Sequence, residues 1–87
     1  MLERTEELIG LEVYTPKGIF VGKITEIGFD LNENRVDGII IDDVNPAVAE
    51  YNIILNIPFD WISAIGDIVL LKRFPEKVLR DGTLQGL

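Results

Sequence analysis

IFVGKITEIGFDLNENRVDGIII, residues 19–41, decides the fold. Short runs rich in Ile and Val meet Gly, Asn and Asp at close intervals, which is the pattern of strands and tight turns. Its apolar positions also change parity: Phe20 and Ile24 are even, whereas Ile27, Phe29 and Leu31 are odd. Side chains on a strand alternate with a period of two, so the change requires a bulge or sharp bend near Thr25-Glu26. Asn32-Glu33-Asn34 is polar and turn-forming, and Arg35 to Ile41 is expected to return antiparallel as a hairpin.

The same pattern continues on both sides. Upstream, Leu11 to Tyr14 reads as a strand closed by Thr15-Pro16-Lys17-Gly18, where Pro16 presets φ and Gly18 tolerates a positive one. Downstream, Asp42-Asp43-Val44-Asn45-Pro46 ends a strand, and the segment to Tyr51 is a loop or a single helical turn. Ile53, Leu55, Ile57 and Phe59 then alternate with Asn52, Asn56 and Pro58, interrupted only by Ile54, and Pro58, lacking an N–H, marks a sheet edge or a strand end. Ile62 to Ile65 and Ile68 to Lys72 flank Gly66-Asp67, which suits a two-residue turn beginning with Gly. Gly18, Gly22, Gly66 and Asp67 are therefore assigned to structural turns, and Gly22 and Gly38 are also expected to permit close packing where strands coil. Pro75 suits the first position of a helix and Gly82 the residue just past its end, so a short helical tail is expected within residues 75–87.

An 87-residue chain with 47% hydrophobic residues fits one domain, divided here into a body, 1–74, and a tail, 75–87. It has no Cys and no His, so neither disulfides nor the usual zinc ligands staple it, which leaves dense packing or oligomerisation. The net charge of −7 disfavours direct nucleic-acid binding, because phosphate recognition needs a cationic face. The charge is uneven. Residues 1–67 carry thirteen acids against Arg4, Lys17, Lys23 and Arg35, while Lys72, Arg73, Lys77 and Arg80 face only Glu76 and Asp81 in the last twenty residues. Solvation of these charges is the simpler account, and attraction of a basic tail to an acidic body is the alternative. The start MLERTEELIG mixes acids and bases unlike a leader, and no apolar run is long enough to span a bilayer, so a cytoplasmic protein without membrane insertion is expected.

Catalysis finds little material. Without His or Cys, nucleophilic triads and thiolate chemistry are excluded, leaving carboxylates, lysines, Tyr14, Tyr51 and Ser63. Asp42, Asp43 and Glu50 could hold a hard cation, but adjacent strand residues point opposite ways and no calcium-loop spacing is present, so turn solvation is preferred. No glycine pattern makes a phosphate loop. No cofactor and no enzymatic activity are expected. Trp61 is read first as a core cap and second as a binding anchor. Val78, Leu79, Leu84 and Leu87 cannot bury one another in so short a tail; they dock on the body, meet a partner, or stay disordered.

The run VYTPKGIFVGKITEIGFDLNENRVDGIIID, followed by IPFDWISAIGDIVLL, resembles the PRC-barrel family over roughly residues 8–73. The likeness rests on Gly18, Val21-Gly22-Lys23-Ile24, the acidic strand end Asp30, the apolar strand Gly38 to Ile41, Ile57-Pro58 with Trp61-Ile62, and Ala64 to Leu71. It implies an all-β, six-stranded small barrel used as a docking module, without catalytic residues. Such a barrel contacts a ribosomal protein in the ribosome maturation factor RimM and forms part of the cytoplasmic cap of the photosynthetic reaction centre. Stand-alone members of this size are typical of archaea, some linked to FtsZ-based division through the membrane anchor SepF.

The expected function is a non-enzymatic protein–protein adaptor, homodimeric, acting through an exposed edge strand or through the apolar tail residues Val78, Leu79, Leu84 and Leu87 with Trp61. The strand Ile39-Ile40-Ile41, apolar on both faces, is counted as further unspent surface. The alternative is a ribosome-maturation accessory reached through a basic ribosomal protein. A cation sensor at Asp42, Asp43 and Glu50 is the third possibility.

Overall fold

The computed structural model describes residues 5–87, so the leader reading of residues 1–4 lies outside it. A 3-10 turn, Thr5–Leu8, leads into nine strands: β1 Glu12–Tyr14, β2 Phe20–Lys23, β3 Glu26–Asp30, β4 Arg35–Ile41, β5 Leu55–Pro58, β6 Ile62–Ile65, β7 Ile68–Leu71, β8 Lys77–Val78 and β9 Leu84–Gln85. A second 3-10 turn, Phe59–Trp61, joins β5 to β6. The strands form three sheets, ordered β2-β1-β7-β6, β3-β4-β5 and β8-β9. Every ladder is antiparallel except β1 with β7, which sets Glu12 beside Ile68 and Tyr14 beside Leu70.

The all-β expectation holds, but six strands closed into a barrel do not: the described residues form nine strands in three sheets, and no ladder among them closes the sheets into a barrel. Pro58 has no N–H to donate and residues 59–61 coil into a 3-10 turn, so hydrogen bonding is not carried from β5 round to β6. At the opposite corner the chain does pass from one sheet to the other within two residues. The Ile24 N–H donates to the Leu11 carbonyl (3.0 Å) beside the first sheet, and the Thr25 N–H donates to Ile40 (2.8 Å) in the second. The chain thus bends near Thr25 as expected, but the register irregularity of the hairpin falls further on, between Gly28 and Phe29. The side chains are another matter: Val21 and Ile24 turn inward, whereas Phe20, Phe29 and Leu31, three of the residues that reveal the change, are exposed.

The hairpin β3–β4 pairs Asp30 with Arg35 and Glu26 with Ile40. Between the sheets lies a core in which Val13, Val21, Ile24, Ile39, Ile41 and Val69 are fully buried. Thr15 is the buried polar residue of the described chain, and its Oγ1 accepts from the Lys17 and Ile19 N–H groups (3.2 and 3.1 Å), so the first turn is held by a side chain. Gly22 lies within β2 rather than in a turn, and it is space that calls for glycine there: a Cβ would come within 2.5 Å of Ile41 Cγ2 and 2.8 Å of the Asp43 carbonyl oxygen. Gly66 and Asp67 do form the β6–β7 turn, but Gly66 does not take a positive φ; its N–H donates to the Ile68 carbonyl (2.9 Å).

The helical tail is also overturned: among the described residues there is no α-helix, and residues 77–85 form a hairpin. Gly82 has φ +94°, and its N–H donates to the Leu79 carbonyl (2.9 Å), while the Leu79 N–H donates to Thr83 (2.9 Å). This is a tight turn followed by a left-handed residue, the bulged hairpin loop. The hairpin docks on the body. Val78 is buried beside Ala49; its N–H donates to the Val48 carbonyl and its carbonyl accepts from Glu50, both at 2.9 Å. The Glu50 carboxylate accepts from the Arg80 N–H at 2.7 Å. Replacing Val78 by Asp removes an apolar burial and desolvates a carboxylate, so Val78→Asp is expected to cost about 2–4 kcal/mol. A urea melt reads this as a lower midpoint at unchanged slope; an unaltered midpoint would mean that the tail does not pack.

Candidate interaction surfaces

The four-stranded sheet has one face on the core and one in solvent. Val13, Val21, Val69 and Leu71 point inward, so their neighbours point out. The register then lines up Phe20 on β2, Tyr14 on β1, Leu70 on β7 and Ala64 on β6 as one row across all four strands. A second row holds Lys23, Glu12 and Ile68. Phe20, Ile68 and Leu70 remain 36, 37 and 39% exposed, and the Tyr14 and Phe20 rings lie 5.6 Å apart between centroids. No charged side chain interrupts the first row. A solvated strand face ordinarily alternates with polar residues, so an apolar outward row on central strands is a surface that lacks its cover.

Tyr14 is fixed at the middle of this row by its hydroxyl, which donates to Glu12 Oε1 at 2.8 Å. That bond, with some burial and the carboxylate charge, holds the phenol above its ordinary range. Because the folded form is the one with the raised value, the contact stabilises the fold at neutral pH and is lost as alkaline pH passes the folded-state titration. In a Tyr51→Phe background, a spectrophotometric titration is expected to show Tyr14 ionising later than free tyrosine, and Glu12→Gln should move it back. Coincidence of the two curves would contradict the contact.

The residues singled out from sequence separate into two groups. Trp61, Val78 and Leu84 are brought together: with Leu55, Ile57, Pro58 and Phe74 they line a groove of about 250 Å³ at the open seam beside β5. Trp61 also packs on the core and meets Phe74 edge-on, with centroids 6.4 Å apart and planes at 86°. Leu79 and Leu87 do not line this groove; Leu79 is half-buried in its turn and Leu87 is exposed. A second groove of about 280 Å³ lies between the first turn and the tail, with Lys17 and Glu76 in its walls.

Ile39-Ile40-Ile41 is not free surface, since Ile39 and Ile41 are fully buried and Ile40 is half-buried between Glu26 and Asn56. The strand with the unspent face is β7, Ile68-Val69-Leu70-Leu71. Its signal was present in the sequence, because four consecutive apolar residues ask for cover on both faces. Asp42 and Asp43 are exposed, Glu50 is engaged by the tail, and among the described residues no group of three His, Cys, Asp or Glu is placed to hold a metal ion. No helix among them is long and apolar enough to cross a membrane.

No curated protein matches the chain. A family model does, that of the PRC-barrel domain, over residues 2–78, which spans both sheets and reaches β8. A small interaction or adaptor-type module is the kind of role this match supports. The chain belongs to the PRC-barrel domain family.

Proposed function

We propose that the chain is a non-enzymatic protein-docking adaptor that works as a homodimer, two copies meeting through the outward face of the four-stranded sheet. The observation that carries this is the uninterrupted row Phe20, Tyr14, Leu70 and Ala64, backed by Ile68. A sequence without His or Cys supports a docking role over a chemical one. The size of the face sets the strength. Four strands about 4.8 Å apart and four residues long present a few hundred Å² at most, well below the roughly 800 Å² per partner of a standard stable interface. The dimer is therefore reversible and concentration-dependent, as suits a module that exchanges partners. In the settings that the family resemblance implies, FtsZ/SepF-linked cell division or, alternatively, ribosome maturation, the chain would act by docking on a partner protein.

Sedimentation velocity over a concentration series is expected to show a monomer–dimer equilibrium. Hydrogen exchange should slow in β1 and β7 as the dimer fills. A monomer at every concentration would overturn the homodimer.

A further inference from the structure

The geometry points to a second docking site, independent of the sheet face: the seam groove beside β5 is a slot for an extended, acidic segment of a partner protein, added as a strand along the β5 edge. The pairing of β4 with β5 fixes which backbone groups are free. Ile40 turns its carbonyl toward Thr25 and away from β5, so Ile40 opposite Asn56 is a pair without mutual hydrogen bonds. Gly38 opposite Pro58 falls in the same class, as Pro58 requires. The N–H and C=O of Asn56 and the C=O of Pro58 consequently point away from β4, at the outer edge of a three-stranded sheet where no strand among the described residues pairs with β5. An edge that offers unpaired backbone groups beside an apolar trough is what strand addition uses, with main-chain bonds for affinity and pockets for alternate side chains.

The trough also limits the occupant. At about 250 Å³ it falls below the usual span of small-molecule pockets, and its lining is apolar apart from Asn56, so it takes one or two large side chains of a peptide. Charge then selects the flanks. Among the described residues no carboxylate lines the groove. Lys72 and Arg73 are exposed immediately before Phe74, and the Lys72 N–H donates to the Trp61 carbonyl at 2.8 Å, which holds this basic pair at the Trp61 end. Arg80 follows Val78 by two residues and is exposed. Of the nearby acids, Asp81 is engaged within the tail turn by the Thr83 N–H at 2.9 Å and Glu50 accepts from the Arg80 N–H at 2.7 Å, while Asp60 beside Trp61 and Glu76 after Pro75 are exposed. In a chain of net charge −7 the adjacent cations Lys72 and Arg73 are a local exception at the Trp61 end of the groove, complementary to an acidic flank of the segment.

Trp61 is the single tryptophan, so its emission reports on the groove directly. The full chain is used to select from a random-peptide phage library, and the recovered consensus is synthesised and titrated against Trp61 fluorescence. The expected consensus has apolar residues at alternate positions and a net negative charge, shifts Trp61 emission saturably, slows exchange of the Asn56 amide, and loosens at high salt. The exposed-site double variant Lys72→Glu, Arg73→Glu is expected to weaken it about tenfold, through lost pairing and new repulsion. Leu84→Lys, at a half-open position of the groove wall, should abolish it. Phe20→Lys with Leu70→Thr should leave it unchanged, which separates this site from the dimer face. A pool without acidic alternation, binding indifferent to the charge reversal, or binding lost on the sheet-face variant would overturn the proposal. So would Trp61 emission that changes with chain concentration alone, since the occupant would then be a second copy.

Discussion

Gly38→Ala is expected to lower the melting temperature by on the order of 10–20 °C, while Gly66→Ala should leave it nearly unchanged. Both glycines sit among strands, and only the space around them differs. A Cβ on Gly38 would lie 2.5 Å from Asn56 Oδ1 and 2.6 Å from the Ile57 carbonyl oxygen. The Asn56 amide can swing aside, but the Ile57 carbonyl belongs to the backbone of β5, which is paired to β4 at this point. The methyl can be accommodated only by prising the two strands apart. Overpacking of that kind costs about 1–3 kcal/mol, and each kcal/mol moves the midpoint of a domain this size by about 4–8 °C. At Gly66 a Cβ would meet nothing within 4 Å, and the residue does not use a positive φ. Thermal circular dichroism of both variants decides the matter, and equal melting temperatures would show that β4 and β5 do not approach as described.

Phe20→Lys with Leu70→Thr is expected to raise the dimer dissociation constant on the order of 100-fold without unfolding the monomer. Slightly over a third of each side chain remains in water, so completing its burial is worth about 0.5–1 kcal/mol, a third of the value for a fully buried side chain. Two positions in two copies lose about 2–4 kcal/mol together, or roughly two decades in affinity. The fold should survive because neither side chain belongs to the core. Phe20 lies on β2, an edge strand where Lys is well tolerated, and Thr suits a central strand at Leu70. Sedimentation velocity alongside far-ultraviolet circular dichroism reads both halves. A variant that dimerises like the parent would place the interface elsewhere.

Local chemistry was legible in the sequence, and long-range pairing was not. Asn32-Glu33-Asn34 and Gly66-Asp67 announce their hairpins because turn residues act on their own backbone. The parallel pairing of β1 with β7 joins residues such as Glu12 and Ile68 and leaves no trace in either segment. Without it, the alignment of Tyr14 with Leu70 cannot be seen, nor can the apolar row. Two apolar runs, Ile39-Ile40-Ile41 at the end of β4 and Ile68 to Leu71 in β7, look alike in sequence, and their neighbours separate them: Ile40 is flanked by Glu26 and Asn56, whereas Leu70 is flanked by Tyr14 and Ala64. The tail was misread for a different reason. A glycine beyond a helix and a glycine closing a bulged hairpin both need positive φ, so Gly82 announces a left-handed residue without saying which structure it ends. Trp61, Val78 and Leu84 were picked out by composition alone, and the hairpin that replaced the helix is what places them in one groove.

In the proposed dimer the chain meets its own copy through the outward face of the four-stranded sheet. Isotope-filtered nuclear Overhauser spectroscopy on an equal mixture of labelled and unlabelled chain tests it most directly. The predicted result is a set of intermolecular contacts from the Ile68 and Leu70 methyl groups to the Phe20 and Tyr14 rings of the other copy. Intermolecular contacts confined to other exposed apolar residues such as Leu31 and Ile54, or none at concentrations where sedimentation shows a dimer, would contradict it.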